Sequence, residues 1–439
     1  MISKVLLIMP NFNWKVEFDI QKDPPMGLLY IAASLEQHGL EVQITDANAE
    51  NLSMEEIIER IKDLAPDLVG ISANYSPLNN PALMLSKRIK QYRKDLIIAI
   101  GGNHATASAG YMLENSENSV DFIMMGQGEK VFINLIDGLN AGKNLSEIRG
   151  ISYMSENQTV CNDREDLIKD LDSLPVPAYH LLKMDLYDRY NIITSRGCPY
   201  KCNYCASNVI CSKVAFRSPS KIVREMEYLL ENYGAKHFWF SDDTFTSNYR
   251  HTSELLDGII EKNLDISWSC LTRVNKTDKA LLAKMKQAGC RYISYGIEGG
   301  DQAMLDSMNK KITLEEIREA MLITKEAGID MYAFFLIGYP GETLETVEQS
   351  FKLIKETRPT GVSFAIVIPL PGTTLWDYLS GKGHISYESM EWDYLFAKSG
   401  KGKYENYAAL LASSWCGIGP EELVSLCKKG EALRGGVMT

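Results

Sequence analysis

Three of the chain's nine cysteines crowd into one short run, Asn191-Ile-Ile-Thr-Ser-Arg-Gly-Cys-Pro-Tyr-Lys-Cys-Asn-Tyr-Cys205. Cys198, Cys202 and Cys205 follow the apolar pair Ile192-Ile193 and the Arg196-Gly197 turn in the spacing Cys-x3-Cys-x2-Cys. Three thiols on one loop cannot pair evenly as disulfides. They can converge on one face of an iron–sulfur cluster, which soft thiolate ligands hold. A four-iron cluster takes four ligands, so three protein thiolates leave one iron open to a substrate or cofactor. A structural zinc site shows two ligand pairs across a long spacer, and no second Cys-x2-Cys or His pair follows here.

A loop of this kind needs a scaffold, and 439 residues at 45% hydrophobic content can bury two or more cores. No stretch approaches the ~20 apolar residues of a membrane span. The N-terminal run from Met1 to Pro10 reads as a first strand and not as a signal peptide. Nine cysteines, an odd number with three tightly grouped, suit a reducing cytoplasm. A formal net charge of −11 without a basic block argues against nucleic-acid binding, which needs clustered Lys and Arg. An acidic surface is compatible with a small-molecule or peptide substrate.

From residue 4 to about 140, apolar strands alternate with amphipathic helices. Strands are expected at Lys4–Met9, Glu41–Thr45, Leu68–Ser72, Ile97–Ile100 and Phe122–Met125, with helices at Gly27–His38, Met54–Leu64, Pro81–Tyr92 and Glu129–Leu139. Such alternation predicts a parallel, doubly wound α/β sheet that binds ligands at the carboxyl ends of its strands. Those ends carry small or turn-forming residues: Asn11; Ser72 and Asn74; Gly101, Gly102, Asn103 and His104; Gly126, Gln127, Gly128 and Glu129. Any one of these is an ordinary βα turn. Four together on one edge point to a cofactor pocket.

Residues 141–189 read as a connector, with a strand at Ile151–Met154 and a Pro-stiffened crossing at Asp172–Pro177. A second alternation occupies residues 190–378. Its strands are expected at Asn191–Thr194, His237–Phe240, Ile266–Cys270, Tyr292–Tyr295, Met331–Leu336 and Val362–Val367. Six βα units are too few for a closed eight-stranded barrel.

The cysteine loop, with Tyr204 as its Cys-x3-Cys-x-aromatic-Cys aromatic, resembles that of the radical S-adenosylmethionine (SAM) enzymes. The run Pro25-Met-Gly-Leu-Leu-Tyr-Ile-Ala-Ala-Ser-Leu-Glu-Gln-His-Gly39 and the Gly101–Thr106 turn resemble the cobalamin-binding domain of that family's cobalamin-dependent branch. Later motifs fall at strand ends in the family's order: Phe240–Thr246, Trp268–Arg273, Gly296–Gly300 with Met308-Asn-Lys310, Gly338–Glu342 and Pro369–Thr373. The resemblance runs from residue 1 to about 378. It implies a [4Fe–4S] cluster on Cys198, Cys202 and Cys205 whose fourth iron binds SAM. It also implies reductive cleavage of SAM to a 5′-deoxyadenosyl radical, an electron donor such as flavodoxin or ferredoxin, and a partial (βα)6 barrel open on one side.

The Asp-x-His-x-x-Gly cobalt-ligating motif is absent, and His38 and His104 lie outside any such context. Cobalamin bound base-off, without a protein ligand, is therefore what the resemblance implies. Glu298 sits where this branch uses a Glu for SAM's polar groups, and Arg273 could fork onto its carboxylate or serve a structural ion pair. Asp242 and Asp243 could orient ribose or substrate, or cap the next helix. Residues 379–439 lie beyond the resemblance and read as a cap of loop and two helices (Tyr407–Trp415, Glu421–Leu433) that closes the open barrel and shapes substrate choice. Cys416 and Cys427 there read as buried small hydrophobes. The organisation expected is thus a Rossmann-like cobalamin domain (1–140), connector, barrel (190–378) and cap. The function implied is C-methylation at an unactivated carbon, with cyclisation, rearrangement or oxidation on the same cofactors as the alternative, and substrate between the two cofactors.

Overall fold

The computed structural model describes residues 1–12, 22–211, 213–395 and 403–433. It divides into two compact units, one formed by Met1–Arg189 with Val209–Cys211, the other by the remainder.

The first unit alternates β1 (Lys4–Met9), α1 (Met26–Gln37), β2 (Glu41–Asp46), α2 (Met54–Leu64), β3 (Leu68–Ser72), α3 (Asn79–Tyr92) and β4 (Ile97–Gly101). Two short helices follow, α4 (Asn103–Ala107) and α5 (Ala109–Glu114), then β5 (Phe122–Met124), α6 (Gly128–Asn140), β6 (Ile151–Ser155) and β7 (Gln158–Cys161). The sheet order is β2-β1-β3-β4-β5-β6-β7. Strands β1 to β5 pair in parallel, and β6 and β7 extend the sheet as an antiparallel hairpin. Residues read from the sequence as connector thus supply two strands of this sheet. Val5 to Ile8 are fully buried, as suits a parallel strand covered on both faces. Helix α2 starts on a capping box, Ser53 with Glu56, which satisfies two orphan backbone donors. Strand order reverses at β1/β3, and the carboxyl edge there is where doubly wound sheets take ligands.

The second unit begins with β8 (Tyr190–Ile192), β9 (Ser195–Arg196), β10 (Ala215–Phe216), α7 (Pro219–Tyr233), β11 (His237–Phe240), α8 (Tyr249–Glu261), β12 (Ser267–Thr272) and α9 (Lys279–Gln287). It continues with β13 (Cys290–Glu298), α10 (Gln302–Ser307), α11 (Leu314–Glu326), β14 (Asp330–Ile337), α12 (Leu344–Thr357), β15 (Gly361–Ile366) and α13 (Thr374–Gly381). Six parallel strands lie in the order β15-β14-β13-β12-β11-β8, with β8 and β15 at opposite edges. This is the open (βα)6 sheet expected. The small pair β9/β10 joins the two ends of the cysteine loop, Ala215 opposite Arg196 and Phe216 opposite Ser195.

Two tail helices follow, α14 (Lys403–Cys416) and α15 (Pro420–Glu431). The loop part of the expected cap includes residues 396–402, which lie outside the described residues, as do 434–439. A Cβ on Gly430 of α15 would overlap the Phe364 ring, which stacks on Phe335 and meets Phe351 of α12. The expectation that the tail spans the open side is therefore corrected for α15: it packs on the helix-bearing face of edge strand β15. Helix α14 reaches the rim instead, with Ala412 against Gly338 just past β14. Cys416 and Cys427 are buried. No helix among the described residues is long and apolar enough to cross a membrane.

Candidate active site

The cysteine loop starts from a pinned turn. Asp242, just past β11 and 4% exposed, accepts from the backbone N–H groups of Thr194 (3.3 Å) and Ser195 and from both their hydroxyls, 2.9 Å in the case of Thr194. Burial pushes its pKa up to about 6, against the pull of these donors. The reading of Asp242 as a ribose ligand or helix cap is corrected: its oxygens are committed to the turn that launches the loop. Gly197, with φ +89°, then swings the chain to Cys198 in a conformation that side chains rarely adopt.

Each thiol has a polar neighbour. Cys198 Sγ is 3.6 Å from Thr244 Oγ1, Cys205 Sγ is 3.1 Å from Ser207 Oγ, and Cys202 Sγ is 3.6 Å from Arg273 Nη1. Ser207 in turn donates to Asp243 (2.9 Å), and burial raises the pKa of both Asp243 and Cys205. All three thiols are free and half-buried. Among the described residues, no three His, Cys, Asp or Glu side chains gather as the ligands of a single ion do. In a cubane each thiolate binds its own iron, so its ligands stand further apart than those around one ion.

Downstream segments clamp the loop. Asn203 donates from its backbone to Met308 O (3.0 Å) and from its amide to Ser307 O (2.8 Å), while its own carbonyl accepts from Leu375 N (2.8 Å) in α13. Asn309 reaches back to Lys201 O (2.5 Å). Behind the loop, Lys310 Nζ and Glu298 Oε1 pair at 2.7 Å with side chains only 6% and 9% exposed. Lys310 also lies 3.3 Å from the Tyr204 hydroxyl, which hydrogen-bonds Glu298 and whose pKa rises far above the usual phenol value through burial and that carboxylate. Glu298 holds φ +72° where the β13–β14 register slips, so a bulge aims its carboxylate at the loop.

Arg273, 4% exposed, lies over the Tyr200 ring, 3.8 Å from its centroid. Its Nη2 donates to Lys310 O and, at 3.4 Å, to Lys311 O. The fork read for a SAM carboxylate is therefore partly spent on backbone carbonyls, and the alternative of a structural ion pair finds no partner acid among the described residues. At the tail, Trp415 Nε1 donates to Gly338 O (2.8 Å), and Glu342 folds back onto Gly338 N, burial pushing its pKa up to about 7. Tyr407, the first residue of the expected cap helix, pins the tail to itself: its hydroxyl accepts from Glu391 N (2.7 Å) and donates to Ser389 O (3.2 Å).

Two family models match the chain: the radical SAM superfamily at residues 192–354 and the B12 binding domain at 21–136. An uncharacterized methyltransferase of Pyrococcus horikoshii is 34% identical over 386 residues, covering 86% of this chain and 83% of that protein. The chain belongs to the cobalamin-binding radical SAM enzymes. The anaerobic magnesium-protoporphyrin IX monomethyl ester cyclase of Rubrivivax gelatinosus is 29% identical over 397 residues, 86% of this chain and 70% of the cyclase. Among solved structures, the radical SAM methyltransferase TsrM of Kitasatospora setae, with cobalamin and a [4Fe–4S] cluster bound, has a TM-score of 0.74. It is 19% identical and covers 87% of this chain and 75% of that one, a likeness of fold.

The radical SAM unit fits the family's cluster by its donor set: Cys198, Cys202 and Cys205 would hold it, with Ser207, Thr244 and Arg273 as neighbours to the sulfurs, where hydrogen bonds tune such centres. Lys310, Tyr200, Ser207 and Thr244 were missed as site residues from sequence; Tyr200, Thr244 and Lys310 lie inside the quoted motif runs, whereas Ser207 lies just past the cysteine loop and gave no signal.

In the B12-binding unit, the carboxyl edge offers Ser72, Asn74, Gly101, Gly102, Asn103 and Gly126. Gly102, at φ +118°, packs so closely on Asn74 that a Cβ would come within 2.6 Å of its backbone, and Asn103 N donates to Asn74 Oδ1 (3.2 Å). Gly126 N donates to Thr106 Oγ1 (3.1 Å), with open space where a side chain would be. Glycines at 101, 102 and 126 leave the backbone of this edge open to close approach, which fits a planar corrin ring. Four residues read as cofactor contacts have other engagements. His104 Nε2 is 3.1 Å from Asn79 Oδ1, and burial pushes its pKa down to about 3. Gln127 accepts from Ile168 N (2.6 Å). Glu129 lines a groove of about 450 Å³ with Ser34, Lys130 and Leu167. Asn11 donates to Asn51 (3.2 Å). His104 is thus turned inward, onto Asn79.

Proposed function

We propose that this enzyme transfers a methyl group from SAM to an unactivated carbon of a small molecule or peptide. One observation carries this reading: three free thiols, each beside a polar neighbour, stand on the loop that follows β9 in a chain that also has a B12-binding unit and is 34% identical to a methyltransferase-named relative. When bound, the cluster supplies the electron that cleaves SAM, and the corrinoid supplies the methyl group that a substrate radical takes up. The chain's own residues hold and orient. Asp242 fixes the start of the loop, and Asn203 and Asn309 fix its flanks. Glu298, aimed by its bulge and neutralised by Lys310, presents acceptor oxygens to SAM's amino and ribose groups, with Tyr204 closing the far side.

A reduced one-electron donor of the flavodoxin or ferredoxin kind serves the cluster, and the free thiols suit a reducing, cytoplasmic setting. Cyclisation on the same cofactors is the second reading, favoured by the 29% identity to the Rubrivivax cyclase. Methyl-labelled SAM separates the two before any substrate is known. Anaerobic incubation of the reconstituted protein with reductant and cobalamin should leave label in the corrinoid fraction. Formation of 5′-deoxyadenosine with no label in the corrinoid favours the cyclase reading.

A further inference from the structure

Arg273 is a buried cation in the second unit with no counter-charge among the described residues. Among the described residues, its side-chain partners are two backbone carbonyls, the Tyr200 ring and the thiol of Cys202. Its Nε is buried with no hydrogen-bond partner at all. The neighbouring acid, Glu298, is taken by Lys310 and Tyr204. A buried charge left uncompensated is strongly destabilising, so a permanent guanidinium at this place calls for an anion that arrives after the chain folds. The cysteine loop is where that anion forms. A [4Fe–4S] core on three thiolates carries net negative charge and gains one more on reduction.

We propose that Arg273 is the counter-charge of the cluster, held flat on Tyr200 so that Nη1 donates to the Cys202 sulfur and favours the reduced state. The step it assists is a bare electron transfer: the cluster gains one electron from the donor, no bond to Arg273 forms or breaks, and no proton moves. Arg273 is thus a positioning residue that sets the potential at which SAM cleavage becomes accessible. This goes beyond methyl transfer and rests on the cluster reading alone.

The test is an anaerobic redox titration of the reconstituted full-length protein, followed by electron paramagnetic resonance and run without SAM. Arg273→Gln removes the charge and keeps hydrogen bonding; Arg273→Lys keeps the charge and loses the fork and the stack. At a fixed potential R273Q should hold about tenfold less reduced cluster than wild type, a midpoint lower by about 59 mV for one electron. R273K should move by less than half as much. Equal midpoints in wild type and R273Q overturn the proposal, and so does an R273K midpoint displaced as far as that of R273Q. If R273Q assembles no cluster, R273K decides: a cluster near the wild-type midpoint supports the need for charge, and loss in both assigns Arg273 to packing. A wild-type protein with no cluster signal overturns the family reading along with this one.

Discussion

Lys310→Met removes the partner of Glu298 with little change of volume, because the unbranched Met side chain adapts to the slot. The pair spans 2.7 Å with both side chains under a tenth exposed. In such a setting, deleting one partner strands the other charge and costs about 3–5 kcal/mol, whereas removing both is near neutral. For a unit of roughly 250 residues each kcal/mol moves the melting temperature by about 2–4 °C, so K310M should lower it by roughly 6–20 °C. Lys310→Met combined with Glu298→Gln should recover most of that loss, since the stranded carboxylate is gone. Anaerobic scanning calorimetry without SAM reads both, with iron content measured in parallel. A K310M loss below about 1 kcal/mol, or a double variant no more stable than the single, would refute the argument that this pair is buried and coupled.

Replacing Cys198, Cys202 and Cys205 together by Ala should abolish cluster assembly and SAM cleavage; retention of about four irons per chain in that variant contradicts the assignment. Burial pushes the Asp242 pKa up to about 6 from an ordinary 3.8, a gap of about 2. Because its folded pKa is raised, the stability it contributes is full below pH 3.8 and is lost as pH rises through 6, by roughly 3 kcal/mol. The stability difference between wild type and Asp242→Asn should therefore shrink between pH 4 and 7 on the order of that amount in urea titrations, and a pH-independent difference counts against it. Trp415→Phe loses the bond to Gly338 O and should cost about 0.5–1.5 kcal/mol. It should also raise 5′-deoxyadenosine relative to product, while Tyr407→Phe lowers stability alone; unchanged coupling in W415F makes α14 a packing element. The Co(II) form should show no axial-nitrogen splitting in its resonance spectrum, in wild type or His104→Ala; splitting lost in H104A disproves the imidazole-free edge.

The features legible in the sequence are those written by neighbours in the chain. Cysteine spacing, the alternation of apolar strands with amphipathic helices and the turn residues at strand ends are local patterns. They announced the cluster loop, the doubly wound sheet and six further βα units, and the family resemblance implied that these form an open barrel. The tertiary structure decided what each polar side chain does, because its partner is set by whichever strand or loop lies alongside, far off in sequence. Asp242 follows its strand just as a ligand would, yet its oxygens meet Thr194 and Ser195, forty-eight and forty-seven residues earlier. Arg273 reads as a carboxylate fork until the carbonyls of Lys310 and Lys311 fill half of it. Glu298 is aimed by a bulge visible only once β13 and β14 are in register. Helix α15 reads as a lid, but Phe364 offers an aromatic surface on the outer face of the edge strand, and Gly430 has no side chain to keep it off. Backbone pattern is local and burial is not, which is why the sequence alone could name the chemistry of the loop but not the charges that surround it.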